Sequence, residues 1–290
     1  MSNATTPMPT LEQLAETLQQ AVNDVYKAGG VPGKKVKNFL NGVWLGHALH
    51  PVLTDIPVGC WTATVTLDLL SGADENSDLA AGADKALGLG ILGAVGAAFA
   101  GITDWSDTYG KERHTGLIHM LLNVGGLTAF SLSWLLRRKK GRRKLAVAIS
   151  TLAYGVTGFS AYLGGDLVFK LGTMVNHNAW THEPEEWTSV SGAPVVTEEN
   201  TLYKVDANGT SVLLVKQDNR LYAINETCSH AGGPLADGQL EGDTVVCPWH
   251  GSRFCLKDGK VIDGPSTYKA PSYEVRQQNG KVEVRLVSDQ

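Results

Sequence analysis

Four long apolar stretches in the first two thirds of the chain restrict its fold more than any other feature. A membrane-spanning helix needs about 20 largely apolar residues, and four such stretches in series are uncommon in soluble domains. The first stretch is the weakest, because it contains two histidines and two aspartates. We expect a four-helix transmembrane bundle over residues 41–175, with a soluble glycine-rich bundle as the alternative. The stretches cover roughly residues 43–70, 86–104, 115–136 and 145–169.

An amphipathic segment precedes the apolar stretches. Residues 11–28, LEQLAETLQQAVNDVYKA, carry apolar side chains at intervals of three and four residues, which predicts a helix with one apolar face. The segment has few positive charges, so the sequence favours packing on a protein surface over strong adhesion to a membrane. We assign it to an N-terminal tail over residues 1–40.

The composition changes after the last apolar stretch. Short runs of alternating polar and apolar residues, such as TLYKVDA, SVLLVKQ and KVEVRLV, are separated by NG, DN and DG pairs that favour tight hairpins. This pattern predicts an all-β antiparallel domain over residues 189–290, joined to the apolar region by a linker over residues 176–188. The net charge is −4, and no basic face indicates a nucleic-acid partner.

Two short motifs in the β region pair one cysteine with one histidine each. They read Cys228-Ser-His230 and Cys247-Pro-Trp-His250, and nearby glycines allow sharp turns. A 2Fe-2S cluster with two thiolates on one iron and two imidazoles on the other needs this donor set. A zinc site of two cysteines and two histidines is the alternative. Zinc sites tend to use closely paired cysteines and paired histidines, so the spacing favours the cluster.

Residues 228–252, CSHAGGPLADGQLEGDTVVCPWHGS, and the following FCLKDGKVIDGP resemble the Rieske iron–sulfur family. The resemblance covers roughly residues 189–290. It implies an antiparallel β fold with a small cluster-binding subdomain, a Rieske-type 2Fe-2S cluster held by the four motif residues, and one-electron transfer. The motif gives His230 and His250 as the solvent-exposed edge of that cluster.

Departures from the respiratory members of that family indicate which branch the chain is similar to. The cysteines of their loop-linking disulfide would fall at Gly233 and Trp249, so that disulfide is absent. Ser252 matches the family serine that hydrogen-bonds a cluster sulfide, and Phe254 replaces a family tyrosine. Fewer hydrogen bonds to the sulfurs lower the reduction potential. We therefore expect a potential below that of quinol-oxidising Rieske proteins, as in Rieske-type ferredoxins.

The apolar region resembles an uncharacterised bacterial family of four-helix membrane domains. The resemblance is carried by WLGHALHPVLTDIPVG, GITDW and HTGLIHM, and it covers roughly residues 40–175. It implies a multi-pass protein of the bacterial cell membrane, in contact with lipid, but it gives no settled activity.

Four histidines lie near the starts of the first and third expected spans. Ionisable residues inside a membrane are costly and usually functional. Because the two spans run in the same direction, His47 and His50 should lie near the same membrane face as His114 and His119. The C-terminal β domain should follow the fourth span on that face. His50 and His119, at matched depth, can ligate a b-type haem or hydrogen-bond a quinone. A structural role, in which the histidines cap helices or bond to Asp55 and Asp104, is the alternative.

The loop between the third and fourth spans suggests an orientation. It reads RRKKGRRK, and clusters of lysine and arginine favour the cytoplasmic side. The parity of the spans would then place both termini and the β domain outside the cell. The terminal side also carries basic residues, so the predicted bias is weak: Lys27, Lys34, Lys35, Lys37, Lys111, Arg113 and Lys170.

These features together predict a membrane-anchored electron carrier. It would pass single electrons between a membrane redox partner, quinone or haem, and a partner protein. One alternative is a component that feeds electrons to a separate oxygenase. We do not expect the oxygenase itself, because such an enzyme needs a mononuclear iron domain and the sequence leaves no room for one. Another alternative is a membrane redox sensor. We predict an electron-transfer protein instead of a stand-alone catalyst and assign no catalytic residue.

Overall fold

The structure is a computed structural model that describes residues 10–72, 76–192, 198–278 and 280–287. The first nine residues of the expected N-terminal tail lie outside the described residues. The chain forms two compact units. A helical unit comprises Met1–Val36 and Leu49–Thr173, and a β unit comprises Lys37–Ala48 and Met174–Gln290.

Helices make up almost all of the first part of the chain. Their order is α1 (Leu11–Ala28), α2 (Gly30–Asn41), α3 (Leu49–Leu70), α4 (Asp78–Trp105), α5 (Gly110–Arg137) and α6 (Arg143–Gly165), and a π-helical turn (Asp166–Lys170) continues α6.

Three of the helices in the described part of the chain are long and apolar enough to cross a membrane. They are Asp78–Trp105, Gly110–Arg137 and Arg143–Lys170, with mean hydropathies of 1.9, 1.3 and 1.3. Large apolar side chains on their outer surfaces are exposed, including Leu92 on α4 and Leu152 on α6. Helix α3 is not among the three, because its polar residues lower its hydropathy. Three of the four expected spans therefore correspond to apolar helices of this kind, and the count of four is not confirmed.

The predicted amphipathic helix is present as α1. Thr10 begins it with a capping box, in which its hydroxyl accepts from the Gln13 backbone and the Gln13 side chain accepts from the Thr10 backbone. Polar contacts fix α1 to the helical unit. The Gln19 amide donates to the Trp105 carbonyl at 2.7 Å, and the Tyr26 hydroxyl lies 2.6 Å from that of Thr103. The expectation that this helix packs on protein is confirmed by these contacts.

The helical unit is built from two similar hairpins, α3–α4 and α5–α6. Four residues of α3 have a counterpart on α5 at a constant separation along the chain, so the two helices occupy equivalent places in the hairpins. The pairs, with the α3 residue first, are His50 and His119, Trp61 and Phe130, Thr64 and Ser133, and Asp68 and Arg137. Trp61 and Phe130 stack with ring centroids 3.9 Å apart. Parallel repeats of this kind are known in membrane proteins.

Hydrogen bonds between the helices of each hairpin repeat in the same way. The Thr64 hydroxyl donates to the Ala83 carbonyl at 3.4 Å, and the Ser133 hydroxyl donates to the Ala146 carbonyl at 2.7 Å. Equivalent residues on α3 and α5 thus donate to equivalent carbonyls on α4 and α6. The hairpins are related by an approximate two-fold axis that passes between α3 and α5.

A buried ion-pair network lies at one end of the helical unit. Asp68, with 1% of its side chain exposed, contacts both Arg137 and Arg143, and Asp84 contacts the same two arginines at 2.9 and 3.1 Å. Two of the basic residues counted in the loop RRKKGRRK are therefore neutralised inside the unit. The charge bias used to predict orientation is correspondingly smaller.

The β unit contains two antiparallel sheets. A six-stranded sheet has the order β1-β10-β9-β4-β3-β2, and a four-stranded sheet has the order β5-β6-β7-β8. A core of buried apolar residues, among them Leu213, Ile224 and Phe254, fills the space between them. The strands are β1 (Thr188–Ser189), β2 (Leu202–Ala207), β3 (Thr210–Gln217), β4 (Arg220–Asn225), β5 (Gln239–Glu241), β6 (Thr244–Val246), β7 (Arg253–Cys255), β8 (Val261–Asp263), β9 (Ser272–Gln278) and β10 (Lys281–Leu286). The predicted all-β region is confirmed.

Part of the N-terminal region packs on the β unit. The Asn38 amide donates to the Asp263 carboxylate at 2.9 Å, and its oxygen accepts from the Gly264 backbone at 3.0 Å. Asn41 is fully buried beside Gly264. No local sequence pattern predicts this contact, because its residues lie more than two hundred positions apart.

Candidate metal centre

Two short loops carry the paired cysteines and histidines. The first follows β4, and the second joins β6 to β7. In the first loop the Cys228 backbone donates to the Gly233 carbonyl at 2.8 Å. In the second the Cys247 backbone donates to the Ser252 carbonyl, also at 2.8 Å. Each loop closes over the same number of residues, so the two cysteines begin equivalent loops, and the histidine follows two residues later in the first loop and three residues later in the second.

The loops bring like donors together. Nδ1 of His230 lies 3.2 Å from Nδ1 of His250, and the ring planes are nearly perpendicular. Two nitrogens bound to one metal at about 2.0–2.1 Å in tetrahedral geometry would lie roughly 3.3 Å apart. The thiols of Cys228 and Cys247 lie close enough together for each to shift the pKa of the other. A pair of nitrogens and a pair of sulfurs fit the two irons of a cluster that has two different ends.

The protonation of the four side chains suits metal binding. Burial lowers the pKa of His230 to about 3 and that of His250 to about 4, so both imidazoles are neutral at pH 7. The hydrogen bond from the Cys228 thiol lowers the pKa of Cys247 to about 7 and raises the pKa of Cys228. Neutral imidazoles and an easily ionised thiol are the forms that bind metals.

Close packing surrounds the donors. A Cβ added to Gly233 would lie 2.9 Å from the Cys247 sulfur and 3.1 Å from the Trp249 ring. A side chain at Gly233 therefore cannot fit without a shift of the second loop. Ser252 is fully buried, and its Oγ accepts from the Ser266 backbone at 2.9 Å, which leaves the hydroxyl proton available to donate. Phe254 is fully buried and packs in the core.

The exposure of the histidines differs from the expectation. His230 is only 7% exposed, because the two loops and neighbouring segments cover it. The prediction that it reaches solvent is wrong in this structure. His250 is half-buried, and Trp249 beside it is 52% exposed. The accessible edge of this site is therefore the second loop.

Two cationic or titratable side chains near the loops were not singled out from the sequence. The His177 backbone donates to the Ser229 carbonyl at 3.1 Å, between Cys228 and His230. The positive charge of Lys37 contributes to the lowered pKa of both His230 and His250. Neither lies near the motifs in sequence, and no local pattern identifies them.

The four membrane histidines do not form one group. His50 on α3 and His119 on α5 face each other, with ring centroids 6.4 Å apart. His114 instead contacts the Glu12 carboxylate on α1 through its Nε2. His47 is exposed in the β unit, and its Nδ1 lies 3.1 Å from the neighbouring Ala48 carbonyl.

The partners of His50 and His119 are backbone groups. Nδ1 of His50 donates to the Ala97 carbonyl at 2.8 Å, and Nδ1 of His119 donates to the Ser160 carbonyl at 2.8 Å. Both acceptors are backbone carbonyls, one on α4 and one on α6, so these two bonds are not the predicted bonds to aspartates.

Sequence comparison assigns both halves of the chain to families. Residues 186–274 match the Rieske [2Fe-2S] domain, and residues 46–177 match the family described as Predicted membrane protein (DUF2231). The relatives of this chain include the 3-phenylpropionate/cinnamic acid dioxygenase ferredoxin subunit of Escherichia coli (strain K12). The two are 38% identical over 76 residues, which cover 26% of this chain and 72% of the relative.

Two further similarities cover the same region. Apoptosis-inducing factor 3 of Mus musculus is 33% identical over 88 residues, which span 30% of this chain and 14% of that protein. The solved ferredoxin of carbazole 1,9a-dioxygenase from Nocardioides aromaticivorans IC177 is 22% identical. It matches with a TM-score of 0.32 over 34% of this chain and 98% of that one. The chain therefore belongs to the Rieske [2Fe-2S] family, and it joins a Rieske-type electron-transfer domain to a domain of the DUF2231 predicted membrane protein family.

Proposed function

We propose that this chain is a membrane-anchored carrier of single electrons whose cluster is held by Cys228, His230, Cys247 and His250. The observation that carries the proposal is the pairing of like donors, with the two Nδ1 atoms 3.2 Å apart and the two thiols close enough for each to shift the pKa of the other. A bound 2Fe-2S cluster supplies a centre that takes up and releases one electron at a time.

The residues around the cluster control its potential and access. The Ser252 hydroxyl can donate a hydrogen bond to a cluster sulfide, whereas the Phe254 side chain has no hydrogen-bond donor. This balance supports a potential below that of quinol-oxidising Rieske proteins. The half-buried His250 and the exposed Trp249 offer a surface on which a redox partner protein can dock.

The ligand assignment is tested by Cys228→Ala in the full chain, with Cys255→Ala as the matched control. Cys255 is a half-buried free cysteine on β7. We expect Cys228→Ala to lose the EPR signal of the reduced cluster and most of its iron, whereas Cys255→Ala keeps both. Equal loss in the two variants, or none in either, would overturn the assignment.

We also propose that α3 crosses the membrane, so that the anchor is a four-helix, multi-pass bundle in the bacterial cell membrane. Helix α3 corresponds to the apolar helix α5 in the repeated hairpins. Its outer surface exposes Val52, Val58, Leu69 and Leu70. A face of this kind on a protein surface is stabilised by lipid. With four spans and a cytoplasmic loop between α5 and α6, the Rieske domain faces outward.

Protease treatment of intact cells tests the orientation. Cleavage of the Rieske domain is expected in intact cells at the rate seen after lysis. Protection in intact cells, with cleavage only after lysis, would contradict an outward domain.

The membrane redox partner is the third part of the proposal, with quinone or haem as the candidates. Purified membranes that contain the chain should reduce the cluster when a quinol analogue is added, as followed by EPR. A cluster that is reduced only by a soluble protein donor would favour the second candidate function, a component that feeds an oxygenase. The 38% identity to a dioxygenase ferredoxin subunit supports that candidate. A cluster that accepts electrons from neither the quinol analogue nor a soluble protein donor would favour the third candidate function, a membrane redox sensor.

A further inference from the structure

The histidine pair inside the helical unit has the features of a ligand site. His50 and His119 come from α3 and α5, their ring centroids lie 6.4 Å apart, and their planes are 89° apart. Ionisable side chains in a membrane domain are costly, and they are retained mainly where they bind something or move charge.

The hydrogen bonds of the two rings fix their tautomers. A carbonyl oxygen can only accept, so Nδ1 of His50 and Nδ1 of His119 must both carry the proton that each donates. Each Nε2 therefore carries a lone pair. Histidines that bind metals are held in this way, with the other ring nitrogen donating to a backbone carbonyl.

The amide of Asn123 supports this assignment for His119. It donates to Nε2 of His119 at 3.1 Å, which requires a lone pair there. The same amide also donates to the His119 backbone carbonyl at 2.9 Å. Asn123 therefore keeps a partner when another group takes its place at Nε2.

The site is symmetric down to the glycines beside it. A Cβ added to Gly101 on α4 would lie 2.7 Å from Cε1 of His50, and one added to Gly164 on α6 would lie 3.2 Å from Cε1 of His119. These glycines occupy equivalent places in the two hairpins. The approximate two-fold axis thus passes between two equivalent imidazoles, which suits a ligand with two equivalent faces.

The spacing and the number of donors identify the ligand class. Two imidazoles bound through Nε2 on opposite sides of one metal, at about 2.0 Å each, would have centroids roughly 6.3 Å apart. The pair supplies two imidazole donors to a metal placed between the rings. A bare ion would need further protein ligands. A haem iron has four ligands of its own in the macrocycle plane and needs only two more, one on each face.

We propose that His50 and His119 are the two axial ligands of a haem iron bound between the hairpins of the membrane domain. The contacts that carry this inference lie entirely within the helical unit. Haem binding by itself does not depend on the proposed function. Only the role of the haem, as the membrane redox partner of the cluster, rests on the proposed electron-carrier function.

The test uses the full chain, purified in detergent from cells supplied with a haem precursor, and then titrated with haemin. Wild-type protein should hold about one haem per chain and show, on reduction, the sharp visible bands of a low-spin haem with two nitrogen ligands. His50→Ala and His119→Ala should each lose at least nine tenths of the bound haem. His114→Ala, which removes a histidine of the same unit outside the pair, should keep it.

Two more measurements keep the outcome decisive. Asn123→Ala should bind haemin at least as well as the wild type, because it removes only the hydrogen bond that competes at Nε2. The EPR signal of the Rieske cluster, recorded on every variant, reports whether the other unit is intact. Loss of haem with a retained cluster signal supports the proposal. A wild-type chain with an intact cluster signal that neither contains nor binds haem overturns it. So does haem that survives both histidine substitutions, or a quinone analogue bound at His50 in a chain that takes no haem.

Discussion

The two units of this molecule each bring two histidines face to face, but they do so by different routes. In the β unit, His230 and His250 come from loops with the same hydrogen-bond pattern, and each loop adds a cysteine. In the helical unit, His50 and His119 come from equivalent helices of two repeated hairpins, and each is anchored to a backbone carbonyl. The first pair shares its site with sulfur. The pair in the helical unit lies on the approximate two-fold axis, and its described partners are backbone carbonyls instead of thiolates.

This difference explains why the sequence identifies the two sites with different precision: the spacing of the donors specifies the first, whereas only the matched depth of His50 and His119 in two expected spans pointed to the second. A loop site places its donors within a few residues of each other, so the spacing alone identifies the chemistry. A site between helices depends on register and on groups such as Gly101 and Gly164, which carry no chemical signal of their own. The comparison implies two centres that are structurally independent, and the following changes test that independence.

The largest expected effect is on the stability of the helical unit. Asp68 pairs with two arginines and is almost fully buried. Asp68→Ala leaves those charges without their buried partner, and loss of one member of such a network costs about 3–5 kcal/mol. Thermal unfolding in detergent, followed by the helical circular dichroism signal, should shift strongly downward.

Asp84→Ala is the matched control for this change, since Asp84 contacts the same arginines but has 36% of its side chain exposed. Its effect should be clearly smaller. The cluster EPR signal should survive both substitutions. If the signal disappears with Asp68→Ala under conditions where Asp84→Ala retains it, the two units are not independent.

The next effect concerns the reduction potential of the cluster. Ser252→Ala removes a buried hydroxyl whose proton is available to donate to a cluster sulfide. A hydrogen bond to a charged group is worth about 1.5–3 kcal/mol, or roughly 65–130 mV for a one-electron couple. We expect the potential to fall by that amount in an EPR redox titration. Ser211→Ala, a substitution on β3, is the control and should leave the potential unchanged. An unchanged potential in Ser252→Ala would remove this residue from the site.

The opposite change is expected at Phe254, where the family has tyrosine. Phe254→Tyr adds a hydroxyl beside the second loop, and a neutral hydrogen bond of about 0.5–1.5 kcal/mol would raise the potential by roughly 20–60 mV. The same titration measures it. A fall in potential, with the cluster intact, would show that the new hydroxyl does not reach a sulfur.

A smaller effect is expected from Lys37, whose charge acts on both histidines of the β unit. A positive charge favours the reduced cluster, so Lys37→Gln should lower the potential by roughly 10–40 mV, the range of a partly exposed charge interaction. The shift should shrink in high salt, where exposed charges are screened. Lys281→Gln, on β10, serves as the control. A shift that does not depend on salt would indicate a structural effect.

Much of the fold and of the cluster site followed from the sequence, for physical reasons that particular residues illustrate. The pairing of Cys228 with His230 and of Cys247 with His250 is local, and so are the turn signals that separate the strands. The helices followed from apolar length. The long-range contacts could not be predicted from the sequence. The hydrogen bond between Asn38 and Gly264 and the ion pairs of Asp68 with two arginines join distant residues, and no local sequence pattern marks them. The repeat of the hairpins was also hidden, because equivalent positions such as Trp61 and Phe130 share a role but rarely an identity.

The central claim is that the four donors of the β unit hold a Rieske-type cluster that transfers one electron. It is tested most directly by an EPR and optical redox titration of the purified full chain, with iron and zinc measured on the same sample. We predict two irons per chain and the rhombic signal of a reduced Rieske cluster. That signal should titrate as a single one-electron step at a potential below the quinol-oxidising class. A sample with zinc in place of iron, or iron with no such signal, would contradict the account.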